Sequence, residues 1–219
     1  MQSIEGGGER WLAGFLHRVQ SAIRDRRMGT DTGGTVAPSL PGAYSYATLS
    51  YNEIDAILDA LALQPGDVFV DIGCGKGRVL CCAAQRKLKA VEGIEIEPAI
   101  AELARRNAQK AGGHAPIAVH AMAAQDYSYA AATVMFLFNP FTNEILDQVL
   151  DQIEHTRANR HPFQLVYVFP KHSDVLSRRR WLTLDAASPV SAVGCSHVIE
   201  VWRAADGGAA HDTSDAAAA

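Results

Sequence analysis

Residues Asp67 to Gly77 read Asp-Val-Phe-Val-Asp-Ile-Gly-Cys-Gly-Lys-Gly, an apolar strand that ends in a carboxylate and passes straight into three alternating glycines. In an open α/β sheet such a turn lies at the carboxyl end of a strand, where nucleotide-like ligands bind. The spacing excludes two familiar ligand loops. The dinucleotide pattern Gly-x-Gly-x-x-Gly needs its third glycine at position 78, which is Arg78. The triphosphate loop Gly-x-x-x-x-Gly-Lys-[Ser/Thr] needs a hydroxyl after its lysine, and Lys76 is followed by Gly77.

Charge leads to the same place. A carboxylate at Asp71, in a partly desolvated turn, repels a pyrophosphate by several kcal/mol at short range and favours a ligand with net positive charge. S-adenosylmethionine carries a sulfonium and an ammonium against one carboxylate. Asp71, Gly73, Gly75 and Gly77 match in full the first motif, [Asp/Glu]-x-Gly-x-Gly-x-Gly, of the class I methyltransferases, which the chain here resembles. That resemblance implies S-adenosylmethionine as cofactor, bound by Asp71, Gly73, Cys74, Gly75 and Gly77.

The pattern around the turn predicts one α/β domain. Strands at Val68 to Ile72, Ala90 to Ile96, Ile117 to Ala121, Val134 to Phe138 and Leu165 to Phe169 alternate with helices at Lys76 to about Arg86, Pro98 to about Ala111 and after Thr142, which means a parallel sheet. Pro98 opens its helix without losing a needed N–H, and Gly112-Gly113 closes it. Before the first strand, Ser50 or Asn52 caps a helix running to about Leu63. After a short helix near His172 to Arg178 the rhythm breaks, and Trp181 to Leu184 and Ser196 to Trp202 read as an antiparallel edge. The expected fold is a doubly wound, mostly parallel seven-stranded sheet with a reversed last strand, as the resemblance also implies. An amphipathic N-terminal helix, Glu9 to Arg27, precedes it, with Val19 and Ile23 in its apolar stripe. The stripe can dock on the domain's own core, or form a lid, a dimer contact or a membrane-surface helix. The division expected is 1–42 for this helix and its linker, 43–203 for the methyltransferase domain, and a disordered Ala/Gly/Asp tail at 204–219.

Composition narrows the partners. A net charge of -4 disfavours a duplex-binding surface, which needs a concentrated basic face. No apolar run reaches the ~20 residues of a spanning helix, and Met1 to Arg10 lacks the basic-then-apolar order of a signal peptide. Cys74, Cys81, Cys82 and Cys195 have no zinc spacing, and His120, His172 and His197 make no metal set, so reduced thiols in a cytoplasmic protein are expected.

Within the resemblance, Glu95 ends the second strand and suits the ribose hydroxyls, with Glu97 as the rival carboxylate at the next helix start. The family places an acidic residue after the third strand to read the adenine amino group. Here Met122 stands in that position, able to pack on the adenine face, and Asp126 follows four positions on. Phe138-Asn139-Pro140-Phe141 resembles the [Asn/Asp]-Pro-Pro-[Tyr/Phe] box of amino methyltransferases without its second proline, and more loosely the seven-strand histone lysine methyltransferases. It implies that the Asn139 amide holds an acceptor amine, with Pro140 fixing the turn and Phe141 packing on the substrate.

Tyr44, Tyr46 and Tyr51 either line the substrate mouth or pack as half-buried tyrosines. The acceptor is a protein amine or a small molecule, and the first helix is a candidate oligomer contact. Two alternatives stay open: a cofactor-binding partner or regulatory protein without turnover, and a methyltransferase acting on oxygen, sulfur or carbon of a small metabolite.

Overall fold

In the computed structural model the described residues are 18–34, 48–157 and 162–204. A helix over residues 18–28 (α1) is followed by α2 (Tyr51–Ala60), β1 (Val68–Ile72), α3 (Arg78–Ala83), β2 (Ala90–Glu95), α4 (Pro98–Ala111), β3 (Ile117–Ala121), β4 (Val134–Phe138), α5 (Asn143–Thr156), β5 (Gln164–Val168), α6 (Ser173–Ser177), β6 (Leu182–Leu184) and β7 (Ile199–Ala204). The strands form one seven-stranded sheet in the order β3-β2-β1-β4-β5-β7-β6. Strands β1 to β5 pair in parallel, and β7 is antiparallel to both β5 and β6. The expected reversed last strand is thus present, placed between β5 and the edge strand β6.

Strand periodicity sorts the core into two layers. Phe69, Val91, Phe136, Val166 and Val201 pack with Ile54, Ile57 and Leu80 on one face. Val70, Ile72, Ile94, Met135, Leu137, Leu165 and Tyr167 pack with Leu146, Val149, Leu150 and Ile153 of α5 on the other. Each such fully buried aliphatic or aromatic side chain stabilises the fold by about 1.5–3 kcal/mol relative to exposure. Two-sided cover explains why β1 is buried at all five positions and why its sequence reads as a continuous apolar run. Asp71 shares the parity of Phe69, so the one carboxylate in the strand enters the sheet on the α2 and α3 side.

Local chemistry sets the helix ends. Ser50 makes a full capping box with Glu53, resolving the choice between Ser50 and Asn52. Two helices are shorter than the sequence suggests. The α2 helix ends at Ala60 because Ala62 turns left-handed, at φ 52°. The α3 helix starts only at Arg78, because Gly77 has φ 83°, outside the helical region, so Lys76 belongs to the turn.

Within its described residues, α1 does not dock on the domain core through the predicted stripe. Val19 and Ile23, assigned to its apolar stripe, are exposed at 38% and 48%, while Ser21 and Asp25 are buried. Asp25 outweighs the stripe because its carboxylate accepts hydrogen bonds from Thr30 and Thr32 (2.8 and 2.7 Å) and from Tyr51 (2.8 Å), and pairs with Arg78. Residues 9–17 of that predicted helix, Tyr44, Tyr46 and the tail beyond 204 lie outside the described residues.

Candidate functional site

The chain leaves β3 at one side of the sheet and re-enters as β4 on the other side of β1, so the topological switch point lies between β1 and β4. There the glycine turn is held residue by residue. Gly73 and Cys74 both donate their N–H groups to the Ile94 carbonyl at 2.9 Å, Gly75 donates to the Glu95 carboxylate at 3.0 Å, and Gly77 closes onto Cys74 at 2.9 Å. Gly73 is at φ 78°, and a Cβ there would stand 2.7 Å from Pro140 Cβ, so the β1 and β4 loops touch at the one residue type that permits it. The Cys74 side chain turns into the core against Gly93, leaving its backbone as the part that faces the turn.

Asp71 is 3% exposed, and no described residue donates a hydrogen bond to it. Burial, reinforced by the nearby Glu95 charge, pushes its carboxyl up to about 8. Ionisation of the empty site is therefore disfavoured. Glu95 is also raised, by burial first, although Gly75 and Glu97 donate backbone N–H groups to its two oxygens at 3.0 Å each. Each of those oxygens keeps a lone pair for further donors. Glu97, the rival carboxylate, is the N-cap residue of α4. Met122 donates its N–H to the Glu95 carbonyl at 3.1 Å and is half-buried beside it, and Asp126 is exposed in a 3-10 turn, Ala124–Asp126.

At the end of β4, Asn139 is buried with a left-handed backbone, φ 40°. The Tyr167 hydroxyl of β5 donates to its amide oxygen at 2.9 Å. The end of β5 repeats the pattern. Phe138 and Val168 are register partners, and the residues that follow them, Asn139 and Phe169, are both left-handed and both precede a proline. Such backbones cost on the order of 1–3 kcal/mol each and concentrate at functional rims. The His197 ring packs on Phe138 (5.1 Å between centroids) and Phe169 (4.9 Å), and the Lys171 ammonium lies 4.8 Å from the Phe169 centroid. Phe141 packs against the α5-side core.

The site residues read from the sequence separate into groups. Asp71, Gly73, Gly75 and Glu95 converge with Pro140 at the switch point, and Met122 adjoins Glu95. Tyr51 is buried between the guanidinium groups of Arg24 and Arg78, 4.6 and 4.7 Å from its ring centroid, which ties it into the packing of α1. Tyr167, Phe169 and His197 were missed. In the sequence the Asn139-Pro140 and Phe169-Pro170 dipeptides mark the two strand ends, and nothing local marks Tyr167 or His197.

Residues 41–152 match the family described as histone methylation protein DOT1. The chain belongs to that family. A 75-residue stretch is 35% identical to the adenine nucleotide translocase lysine N-methyltransferase of Mus musculus, and covers 34% of this chain and about a third (32%) of that protein. The fold is similar to a SAM-dependent O-methyltransferase from Thermotoga maritima, with a TM-score of 0.56 and 14% identity over 74% of this chain and 68% of that one. It is also similar to magnesium protoporphyrin IX methyltransferase from Synechocystis, solved with bound SAM, with a TM-score of 0.54 and 17% identity over 71% of this chain and 78% of that one. This member of the DOT1 family thus has the Rossmann-like methyltransferase fold. Its buried Asp71, to which no described residue donates, the two anchored oxygens of Glu95 and the glycine turn fit an adenosyl ligand that carries a sulfonium.

Proposed function

We propose that this chain transfers a methyl group from S-adenosylmethionine to an amine held near Asn139. Asp71 carries the reading. A buried carboxyl with no described donor, next to a second buried carboxylate, favours a ligand that brings positive charge. Membership of the DOT1 family supports methyl transfer, and the name of the mouse relative, a lysine N-methyltransferase, supports nitrogen as the acceptor. The acceptor class is a protein amine or a small-molecule amine.

When bound, S-adenosylmethionine would supply a methyl carbon on a sulfonium: a neutral amine would attack that carbon in line, the carbon–sulfur bond would break to leave a thioether, and the nitrogen's surplus proton would pass to water. Asp71, releasing its proton to solvent, would balance the positive charge of the bound cofactor. Glu95 accepts hydrogen bonds from the ribose hydroxyls with the lone pairs that Gly75 and Glu97 leave free. Met122, half-buried beside Glu95, would pack on the adenine face in place of an acidic partner. The Asn139 amide oxygen accepts a hydrogen bond from the amine, and the Tyr167 hydroxyl fixes that amide's orientation. Pro140 braces the turn against Gly73, and Phe141, packed against the α5-side core, backs the loop that would hold the acceptor. Since the methyl group is already activated, orientation and exclusion of water supply the catalysis and no strong base is needed.

The four cysteines are free, which supports a cytoplasmic setting, and among the described residues no helix is long and apolar enough to cross a membrane. The methyltransferase unit is taken as 43–203. The test is isothermal titration with S-adenosylmethionine, followed by transfer of a tritiated methyl group to lysine peptides and to small amines. Asn139→Ala is expected to lower transfer about 100-fold, the scale of a misplaced reactant, while the cofactor Kd stays within about twofold. Unchanged transfer would remove Asn139 from the mechanism, and no cofactor binding at millimolar ligand would remove the whole reading.

A further inference from the structure

Lys76 and Arg78 flank Gly77 in the cofactor turn, yet both side chains reach the segment that follows α1. Lys76 donates through Nζ to the Gly33 carbonyl at 2.7 Å, with Asp31 at 3.7 Å. Arg78 is 5% exposed. Its Nε donates to the Thr32 hydroxyl at 2.7 Å, its Nη1 to the Leu49 carbonyl at 2.9 Å and its Nη2 to Asp25 at 3.3 Å. Thr32 is fully buried and donates its own proton to Asp25 at 2.7 Å. From the far side, Asn107 of α4 donates to the carbonyls of Lys76 and Asp31, both at 2.9 Å, and accepts the Asp31 N–H at 2.9 Å.

We infer that residues 25–34 are a positioning clamp for the cofactor turn, with Thr32 as its relay between Asp25 and Arg78. The clamp acts through the turn and touches no reacting group. Gly75 is anchored to Glu95 from the β2 side, whereas the side chains of Lys76 and Arg78 are anchored through 25–34, Leu49 and, for Arg78, the ring of Tyr51, with Asn107 of α4 holding the Lys76 carbonyl. Glycines at 73, 75 and 77 give this backbone wide freedom, so the turn needs external ties to hold its N–H groups and Glu95 in one arrangement before the ligand arrives. Arg78 buried without Asp25 would be an uncompensated charge, which makes the tie strongly directional. Residues 25–34 precede the stretch 41–152 that matches the family, so the cofactor turn inside that stretch is steadied by residues outside it.

This rests on the proposed cofactor, and the test separates the two. Thr32→Val keeps the shape of the side chain and removes the relay hydroxyl, whereas Thr32→Ser keeps the hydroxyl. In the full chain, Thr32→Val is expected to weaken S-adenosylmethionine binding about tenfold by titration, the scale of leaving buried polar partners unsatisfied, with Thr32→Ser close to the parent. Independently of any ligand, amide hydrogen exchange of peptides spanning 73–79 is expected to speed up about tenfold in Thr32→Val, with β4 and β5 unchanged. A variant that melts lower but keeps the parent Kd and the parent exchange in 73–79 has lost packing only, and overturns the clamp. Should the parent chain fail to bind the cofactor, the proposed function falls while the exchange result still decides the clamp.

Discussion

The two halves of the site are built on opposite terms. On the cofactor side the backbone takes left-handed angles only at glycines, Gly73, Gly75 and Gly77, where they carry no steric cost, and the amides of Gly73, Cys74, Gly75 and Gly77 all have partners. On the acceptor side the left-handed residues are Asn139 and Phe169, held by the sheet, a following proline and packed rings at a cost in strain. The first arrangement suits a ligand shared by many enzymes. The second places large, specific side chains at a partly exposed rim, the place where the proposed function puts the acceptor.

The largest effect is expected where the halves touch. Gly73→Ala puts a methyl group into Pro140 at a backbone angle that disfavours any Cβ. Overpacking and strain together are expected to cost about 2–4 kcal/mol of stability in urea unfolding, and cofactor binding should be lost with it. A variant with parent stability would show that the two loops are free to separate.

Next comes the charge on Asp71. Its folded carboxyl, near 8, lies above the usual value of 3.8, so its contribution to the ligand-free fold is full below about pH 4 and declines as pH rises toward 8. A cationic ligand favours the ionised form, so S-adenosylmethionine affinity should rise with pH up to about 8 and then level. Asp71→Asn should bind more weakly at pH 8, by about tenfold or more, and with a flatter profile below it. Parallel profiles for parent and variant would assign the titration elsewhere.

The smallest effect belongs to the acceptor rim. Phe169→Asn replaces a strained aromatic with a residue that tolerates the left-handed region, and should raise stability by up to about 1 kcal/mol. Methyl transfer should fall while cofactor affinity holds. A gain in stability with full transfer would leave Phe169 as strain without a role.

How much of this was legible depended on how local the cause was. The β1 run, the Ser50 or Asn52 cap, Pro98 and the Gly112-Gly113 stop each act through neighbours in the chain, and the sheet they imply is the one observed. The orientation of α1 was not legible, because the apolar stripe with Val19 and Ile23 was the stronger local signal. The deciding partners of Asp25, Tyr51 and Arg78, lie 26 and 53 positions away. For the same reason Tyr167 and His197 gave no sign of their place beside Asn139 and Phe169. Their significance lies in strand register and ring contact, which no window of sequence contains.

By itself the sequence determined the alternation of strands and helices and the kind of ligand the glycine turn admits, since backbone conformation and the sign of a charge are properties of adjacent residues. Tertiary structure alone decided that burial beside Glu95 raises the Asp71 carboxyl, that the Tyr167 hydroxyl bonds the Asn139 amide, and that α1 buries Ser21 and Asp25. Protonation and orientation follow from burial and from partners brought together by the fold, and a chain that has not yet folded has neither.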